Sequence, residues 1–221
     1  MHANLCIKQD EITDDILTSC SNTSMSSKIV GGDSAFFSQL CVTAMKRVGN
    51  LNSKNKMLYP VAAVNIIKAH GASTKESFLI NGYALRMSTA SQQMKKSITN
   101  AKIACIDFNL NKFRMALGIT VQCEDVAKLA EVRQHEMDIT KERIQKIIDA
   151  GATVIITTKG IDDFAQKFLV EKGVMGIRRV EKNDMRKIAK LTGAELVHNI
   201  VDENGDEKFD AALLGEAKYV Y

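Results

Sequence analysis

Two clusters of charged residues in the last third of the chain are of a type that could support chemistry. Asp162 and Asp163 directly follow Lys159-Gly160. Such a carboxylate pair serves either as the N-terminal cap of a helix or, with a partner base, in acid–base catalysis. Residues 178–190 hold six basic and two acidic side chains. They form either a solvated helix face with ion pairs or a phosphate-binding patch.

The motifs of common catalytic and metal sites are absent from the sequence. It contains neither GxxxxGK[ST] nor GxGxxG, the loops that bind phosphates, and no GxSxG of a serine hydrolase. The four histidines have no ligand spacing, and the five cysteines include no CxxC pair. We therefore predict no catalytic residues, no metal site and free thiols, and we disfavour a small hydrolase.

The two charged clusters lie in a stretch where strands and helices alternate. Short apolar runs predict strands at 101–106, 115–121, 153–157, 174–177 and 195–197. Helices predicted at 161–172 and 183–192 separate the last three strands. Gly151, Gly173 and Gly193 stand where helices end. This β-α-β-α-β order predicts an α/β fold with a partly parallel sheet.

A long charged segment, residues 125–150, precedes that stretch and is predicted to be helical. Val126, Leu129 and Val132 form a narrow apolar stripe in its first half, and Asp138 and Thr140 could cap a restart. The segment is either a buried amphipathic helix or a projecting helix that offers its stripe to a partner.

The N-terminal third has a different pattern. It predicts helices at 11–20 and 33–48, a polar loop at 49–56, and a strand or strand pair at 59–68.

The composition excludes several classes of protein. The chain has 221 residues, of which 45% are apolar and 25% charged, and a net charge of +4. This charge is too mild to imply a nucleic-acid partner by itself. No apolar run is long enough to span a bilayer, and the first residues lack the pattern of a signal peptide, so we expect a cytoplasmic protein.

Several long strings of residues resemble the subunits of group II chaperonins, including those of the eukaryotic cytosolic chaperonin. These strings are 23–29 (TSMSSKI), 59–61 (YPV), 64–71 (VNIIKAHG), 82–85 (GYAL), 100–108 (NAKIACIDF), 138–147 (DITKERIQKI), 157–163 (TTKGIDD), 177–180 (IRRV) and 188–190 (IAK). The resemblance covers nearly the whole chain. It implies part of an equatorial domain at 1–56, a first intermediate-domain segment at 57–84, and an apical domain at 85–221. A helical protrusion is implied at about 122–140, on an apical α/β core.

The resemblance also implies a function. Group II chaperonins bind non-native polypeptides, of the actin and tubulin type in the eukaryotic cytosol, and fold them with ATP and Mg²⁺ in a double ring of subunits. The family's GDGTT nucleotide loop is absent from this sequence, and the hydrolytic aspartate would lie beyond it. We therefore expect no cofactor and no ATPase activity for this chain alone, although Lys68 matches a nucleotide-sensing lysine of the intact ring.

By the same resemblance, clients bind in a groove between the helix at 161–172 and the base of the protrusion. The residues expected to contact a client are Asp163, Gln166, Lys167, Val170 and Glu171, with Val126, Leu129 and Val132 on the protrusion. We expect the side chains of Ile161, Phe164 and Phe168 to pack this helix against the rest of the domain. Other chaperonin subunits are the implied partners. The alternative function is a nucleic-acid-binding module that uses the basic face from Arg178 to Lys190.

Overall fold

The computed structural model describes residues 11–113, 118, 122, 126–201 and 207–221. The chain divides into two compact units, Met1–Ala84 and Leu85–Tyr221. Among the described residues, no helix has both the length and the apolar character needed to cross a bilayer.

The first unit is built on two helices that pack against each other. Helix α1 spans Asp14–Met25 and helix α2 spans Ser34–Val48, with a 3-10 turn at Ile29–Asp33 between them. Both were predicted, and α1 extends five residues past its predicted end at 20. The predicted loop at 49–56 contains the first strand of a small hairpin, β1 (Asn50–Leu51), which pairs with β2 (Met57–Leu58).

The strand predicted at 59–68 is wrong. The segment contains a 3-10 turn at Val61–Ala63 and is otherwise irregular, and none of residues 59–80 is buried. Val61 and Ile66 are 72% and 76% exposed. An apolar run forms a strand only where a neighbouring strand accepts its backbone hydrogen bonds, and this run has no such neighbour among the described residues.

The second unit contains a five-stranded sheet. Its strands are β3 (Ile98–Ile106), β4 (Val154–Thr157), β5 (Met175–Ile177), β6 (Leu196–Val197) and β7 (Gly215–Val220). Four of them run parallel in the order β5-β4-β3-β6, while β7 pairs antiparallel with β3. Ile106 pairs with Thr157 on one side and with Val197 on the other. The carboxyl ends of three parallel strands therefore meet at one edge.

Three helices of the second unit accompany this sheet. They are α3 (Val126–Asp149), α4 (Asp163–Lys172) and α5 (Lys182–Thr192). Helix α3 continues without a break through the restart predicted at Asp138. The strand predicted at 115–121 lies outside the described residues apart from Gly118, and so do residues 123–125 of the predicted protrusion.

The core of the second unit lies on both faces of the sheet. Ile106 and Ile155 pack with Ile144 of α3 and Leu169 of α4 in one buried cluster. Because side chains alternate along a strand, Cys105 lies on the opposite face. Burial there raises the pKa of the Cys105 thiol to about 12. Helix α5, which buries Met185 and Ile188, also contacts β3, β6 and β7. The second unit is thus an α/β fold with helices on both faces of its sheet.

Candidate functional site

Helix α4 is fixed at both ends and along one face. Asp162 is its N-cap, with a side-chain oxygen that accepts a hydrogen bond from the Asp163 N–H at 2.9 Å. This geometry agrees with the capping interpretation of the two carboxylates. Gly173 ends the helix in the left-handed conformation (φ 70°), which glycine adopts without strain. Ala165, Phe168 and Leu169 are buried against the core. The backbone of the helix is therefore a rigid support for its exposed side chains.

The accessible face of α4 carries four of the five contact residues that were predicted on this helix. Asp163, Lys167 and Glu171 are exposed, and Val170 is half-buried against the core cluster. These residues stand at positions i, i+4, i+7 and i+8, so they share one face of the helix. We call these four residues the α4 stripe.

Gln166 differs from the other predicted contact residues. It is only 9% exposed, and its side-chain amide donates to the Ile161 carbonyl oxygen at 3.0 Å. The amide also lies 3.4 Å from a carboxylate oxygen of Asp163. The side chain thus closes the first turn of α4 rather than standing in an open groove. Of the residues expected to pack the helix down, Ile161 and Phe168 are buried and Phe164 is half-buried.

Helix α3 has an exposed half and an anchored half. Val126 is 87% exposed, Leu129 is 42% exposed, and Val132 is half-buried. The buried residues of α3 are Thr140, Ile144 and Ile147, all in its second half. The structure thus favours a helix that exposes its first half over a fully buried one.

The two helices meet in the anchored half of α3. The Lys141 ammonium lies 5.7 Å from the centre of the Phe168 ring, and the Lys172 ammonium lies 5.5 Å from it. Both distances are within the range of a cation–π interaction. The three apolar residues predicted on the protrusion therefore lie beyond this contact, toward the start of α3.

A polar cleft of about 650 Å³ lies beside the N-terminal end of α4. Its walls come from the loop after β3 (109 and 111–113), from Arg143 of α3, from the entry to α4 (160–163), and from Arg178 and Arg179 after β5. We call it the arginine cleft. The sequence indicated that the two arginines belong to a basic stretch, but it did not predict the cleft. The signal that could have found it is the tendency of α/β sheets to form crevices at the carboxyl ends of their parallel strands.

Hydrogen bonds and an ion pair hold the loop after β3 in place. The Leu110 N–H donates to the Gly160 carbonyl oxygen at 3.0 Å. The Thr140 hydroxyl donates to the Asn111 carbonyl oxygen at 3.0 Å, and Lys112 forms an ion pair with Glu136 at 2.9 Å. One wall of the arginine cleft is therefore attached both to α3 and to the entry of α4.

A second charged group lies at the same edge of the sheet. The Asp107 side chain is 6% exposed and accepts a hydrogen bond from the Thr158 hydroxyl. Its other oxygen lies 3.1 Å from Lys182 Nζ and 3.0 Å from His198 Nδ1. The Thr158 hydrogen bond, followed by the interactions with Lys182 and His198, lowers the pKa of Asp107, although burial opposes the shift. This carboxylate ties β3, β4, the start of α5 and the segment after β6 together.

Lys68 belongs to the first unit, where it lies in an irregular and exposed segment. In the described part of the chain, no three His, Cys, Asp or Glu side chains are grouped so that they could hold a metal ion.

The family of the chain follows from comparison with known proteins. A family model described as the TCP-1/cpn60 chaperonin family matches residues 2–221, so the chain belongs to that family. T-complex protein 1 subunit alpha of Arabidopsis thaliana is 51% identical over 92% of this chain. The same subunit of Tetrahymena pyriformis is 48% identical over 99% of it. Thermosome subunit beta of Saccharolobus solfataricus is 33% identical over 92% of it. The chain is thus more similar to these two eukaryotic alpha subunits than to the archaeal subunit.

The fold agrees with this membership. An open-state monomer of a group II chaperonin from Methanococcoides burtonii superposes with a TM-score of 0.67 at 22% identity. The match covers 93% of this chain and 44% of that one. The chain spans 37% and 40% of the length of the two alpha-subunit relatives. The predicted family and the predicted α/β chaperonin fold are confirmed, and none of these comparisons supports the nucleic-acid alternative.

Proposed function

We propose that this chain supplies the part of a chaperonin subunit that binds non-native polypeptides, of the actin and tubulin type. The observation that carries the proposal is the α4 stripe, an accessible face with charges of both signs around one half-buried valine. The opposite face of α4 is fixed to the core, so the stripe needs little ordering when it binds a client. A mixed surface of this kind suits selective binding of partly polar segments.

The exposed half of α3 supplies a second contact surface in this proposal. Val126, Leu129 and Val132 are spaced three residues apart and are accessible to a partner. We assign this half of α3, with the residues before it from about 122, to the helical protrusion. In an intact ring, ATP-driven movement would bring it over the bound client.

The domain assignment is part of the same proposal. Residues 1–56 are assigned to an equatorial domain, 57–84 to a first intermediate segment and 85–221 to an apical domain. The division of the chain into units after Ala84 supports the boundary between the last two.

The remaining parts of the proposal concern the intact protein. Its partners are other chaperonin subunits in a hetero-oligomeric double ring in the cytoplasm, and its cofactor is ATP with Mg²⁺. The residues of this chain do not by themselves fit a nucleotide, because the sequence holds no phosphate loop and Lys68 lies exposed in an irregular segment. Lys68 would act only beside a nucleotide held by other parts of the intact subunit.

The proposal is tested by titrating labelled, unfolded actin with the chain and following fluorescence anisotropy. Lys167→Glu with Val170→Asp is expected to weaken binding. Because Val170 packs partly against the core, a second variant changes exposed positions only, Lys167→Glu with Glu171→Lys. We expect about a tenfold loss of affinity, equivalent to about 1.4 kcal/mol of binding free energy.

The matched control exchanges charges on exposed positions elsewhere, Lys190→Glu with Glu195→Lys, and should bind like the unchanged chain. Equal affinity of the α4 variants and the control would show that clients do not use the α4 stripe. A DNA duplex serves as the parallel ligand. Duplex binding that falls steeply with salt, without actin binding, would favour the nucleic-acid alternative.

A further inference from the structure

Arg178 and Arg179 are cations of the arginine cleft that lack a partner among the described residues. The other two cations of the cleft are engaged. Lys112 pairs with Glu136 at 2.9 Å, and Arg143 pairs with Glu207 at 2.5 Å. Arg178 and Arg179 are both exposed, and neither guanidinium forms an ion pair or side-chain hydrogen bond within the described part of the chain. Their hydrogen-bond donors are therefore available to a ligand.

The backbone holds this arginine pair in a fixed position. Arg179 has φ 59°, in the left-handed region, where a residue with a Cβ is strained. Its N–H donates to the Lys159 carbonyl oxygen at 3.0 Å, and the Val180 N–H donates to the Thr157 carbonyl oxygen at 3.1 Å. Glycine would occupy this position without strain, so the backbone conformation alone does not explain why an arginine stands here.

The other residues that line the cleft limit which class of ligand can bind there. Asp162 and Asp163 stand at the entry to α4 and repel a densely anionic chain such as a nucleic-acid backbone. Asn109 and Asn111 offer amide groups that pair with a peptide backbone, and Phe113, 39% exposed, offers an apolar contact. Single carboxylates spaced along an extended polypeptide fit this lining, because each can take a bidentate contact from a guanidinium.

We propose that the arginine cleft binds an aspartate or glutamate side chain of an extended, unfolded polypeptide segment. The inference rests on the proposed function, because it names a chemical feature of the client. The cleft is lined by Asp163, which also belongs to the α4 stripe, so one segment can contact both. Clients with acidic residues next to apolar ones would then bind preferentially.

The test measures the anisotropy of short labelled peptides with the full chain at low salt and at about 0.15 M salt. One peptide carries aspartates and glutamates between serines and leucines, and its matched peptide carries asparagines and glutamines in their place. The variant is Arg178→Gln with Arg179→Asn, since asparagine tolerates the left-handed backbone. We expect the acidic peptide to bind more tightly than the amide peptide, and the variant to lose about five- to tenfold in affinity for it.

The matched control removes the same charge from exposed positions on α5, with Arg186→Gln and Lys190→Gln, and should retain affinity for the acidic peptide. No preference for the acidic peptide, or an equal loss in the control, overturns the inference. The inference is also overturned if a DNA duplex binds more tightly than the acidic peptide and the arginine variant abolishes the binding of the duplex. If the arginine variant keeps its affinity for the acidic peptide while the α4 variants lose unfolded actin, the proposed function stands and this inference falls.

Discussion

Asp107 is a buried carboxylate that its neighbours keep in the charged form. The Thr158 hydroxyl donates to it, and Lys182 and His198 lie at 3.1 and 3.0 Å. These contacts lower the pKa of Asp107 in the folded chain. A carboxyl group with a lower pKa in the folded than in the unfolded state stabilises the fold above its unfolded pKa. That contribution is lost as the pH falls through the folded pKa.

At the scale of this residue, Asp107→Asn is expected to lower the free energy of unfolding by about 1–3 kcal/mol at neutral pH. The difference from the unchanged chain should begin to shrink as the pH falls below about 4, where the carboxyl group of the unfolded chain becomes protonated. It should disappear once the pH has fallen through the lowered pKa of Asp107 in the folded chain. Urea unfolding at several pH values measures both effects. Asp210→Asn removes an exposed carboxylate and should change stability by less than about 0.5 kcal/mol. A pH-independent difference would show that charge on Asp107 does not stabilise the fold.

At the scale of elements, the sequence predicts best where local signals and burial agree. Strands β4 and β5 are short apolar runs, and helices α4 and α5 end at Gly173 and Gly193, which have φ 70° and 75°. By contrast, β7 was not predicted, because its pairing with the start of β3 joins residues far apart in sequence. Residues 59–68 read as a strand because they are apolar, and no local signal shows whether a partner strand exists.

Some parts of the candidate site were also predictable from the sequence, and others were not. The resemblance implied five contact residues on α4, and the four that form the α4 stripe share one accessible face of the helix. Gln166 was misplaced because its burial depends on a hydrogen bond to the Ile161 carbonyl oxygen, which helical spacing does not encode. The arginine cleft draws on four separate parts of the chain and becomes visible only once the sheet brings them together.

Helix α3 allows a direct test of its two halves. Ile144 is fully buried, so Ile144→Ala should cost about 2–5 kcal/mol of unfolding free energy through lost burial and the cavity left behind. Leu129 is 42% exposed, so Leu129→Ala should cost less than about 1 kcal/mol. Urea unfolding followed by circular dichroism measures both variants. Similar losses in the two variants would mean that the first half of α3 is packed as tightly as the second.

At the scale of the whole molecule, burial is unevenly divided between the two units. Among the described residues of Met1–Ala84, Ala44 is the only buried hydrophobic side chain. The second unit contains the sheet and the core cluster of β3, β4, α3 and α4. Since buried apolar surface is the main source of folding free energy, the two units should differ in resistance to local opening.

Limited proteolysis with trypsin tests this difference. Residues 59–80 have no buried side chain, and Lys56, Lys68 and Lys75 are exposed. Cleavage at these lysines needs only local opening, whereas cleavage after Lys102 in β3 or Lys146 in α3 requires opening of the core. Mass spectrometry of a time course should therefore show that the first set of lysines is cut at least about tenfold faster than the second set. A tenfold ratio corresponds to a difference of about 1.4 kcal/mol in the free energy of opening. In denaturing urea the two sets should be cut at similar rates. Equal rates in native buffer would mean that the first unit resists opening as strongly as the core of the second, and that its stability comes from something other than buried apolar surface.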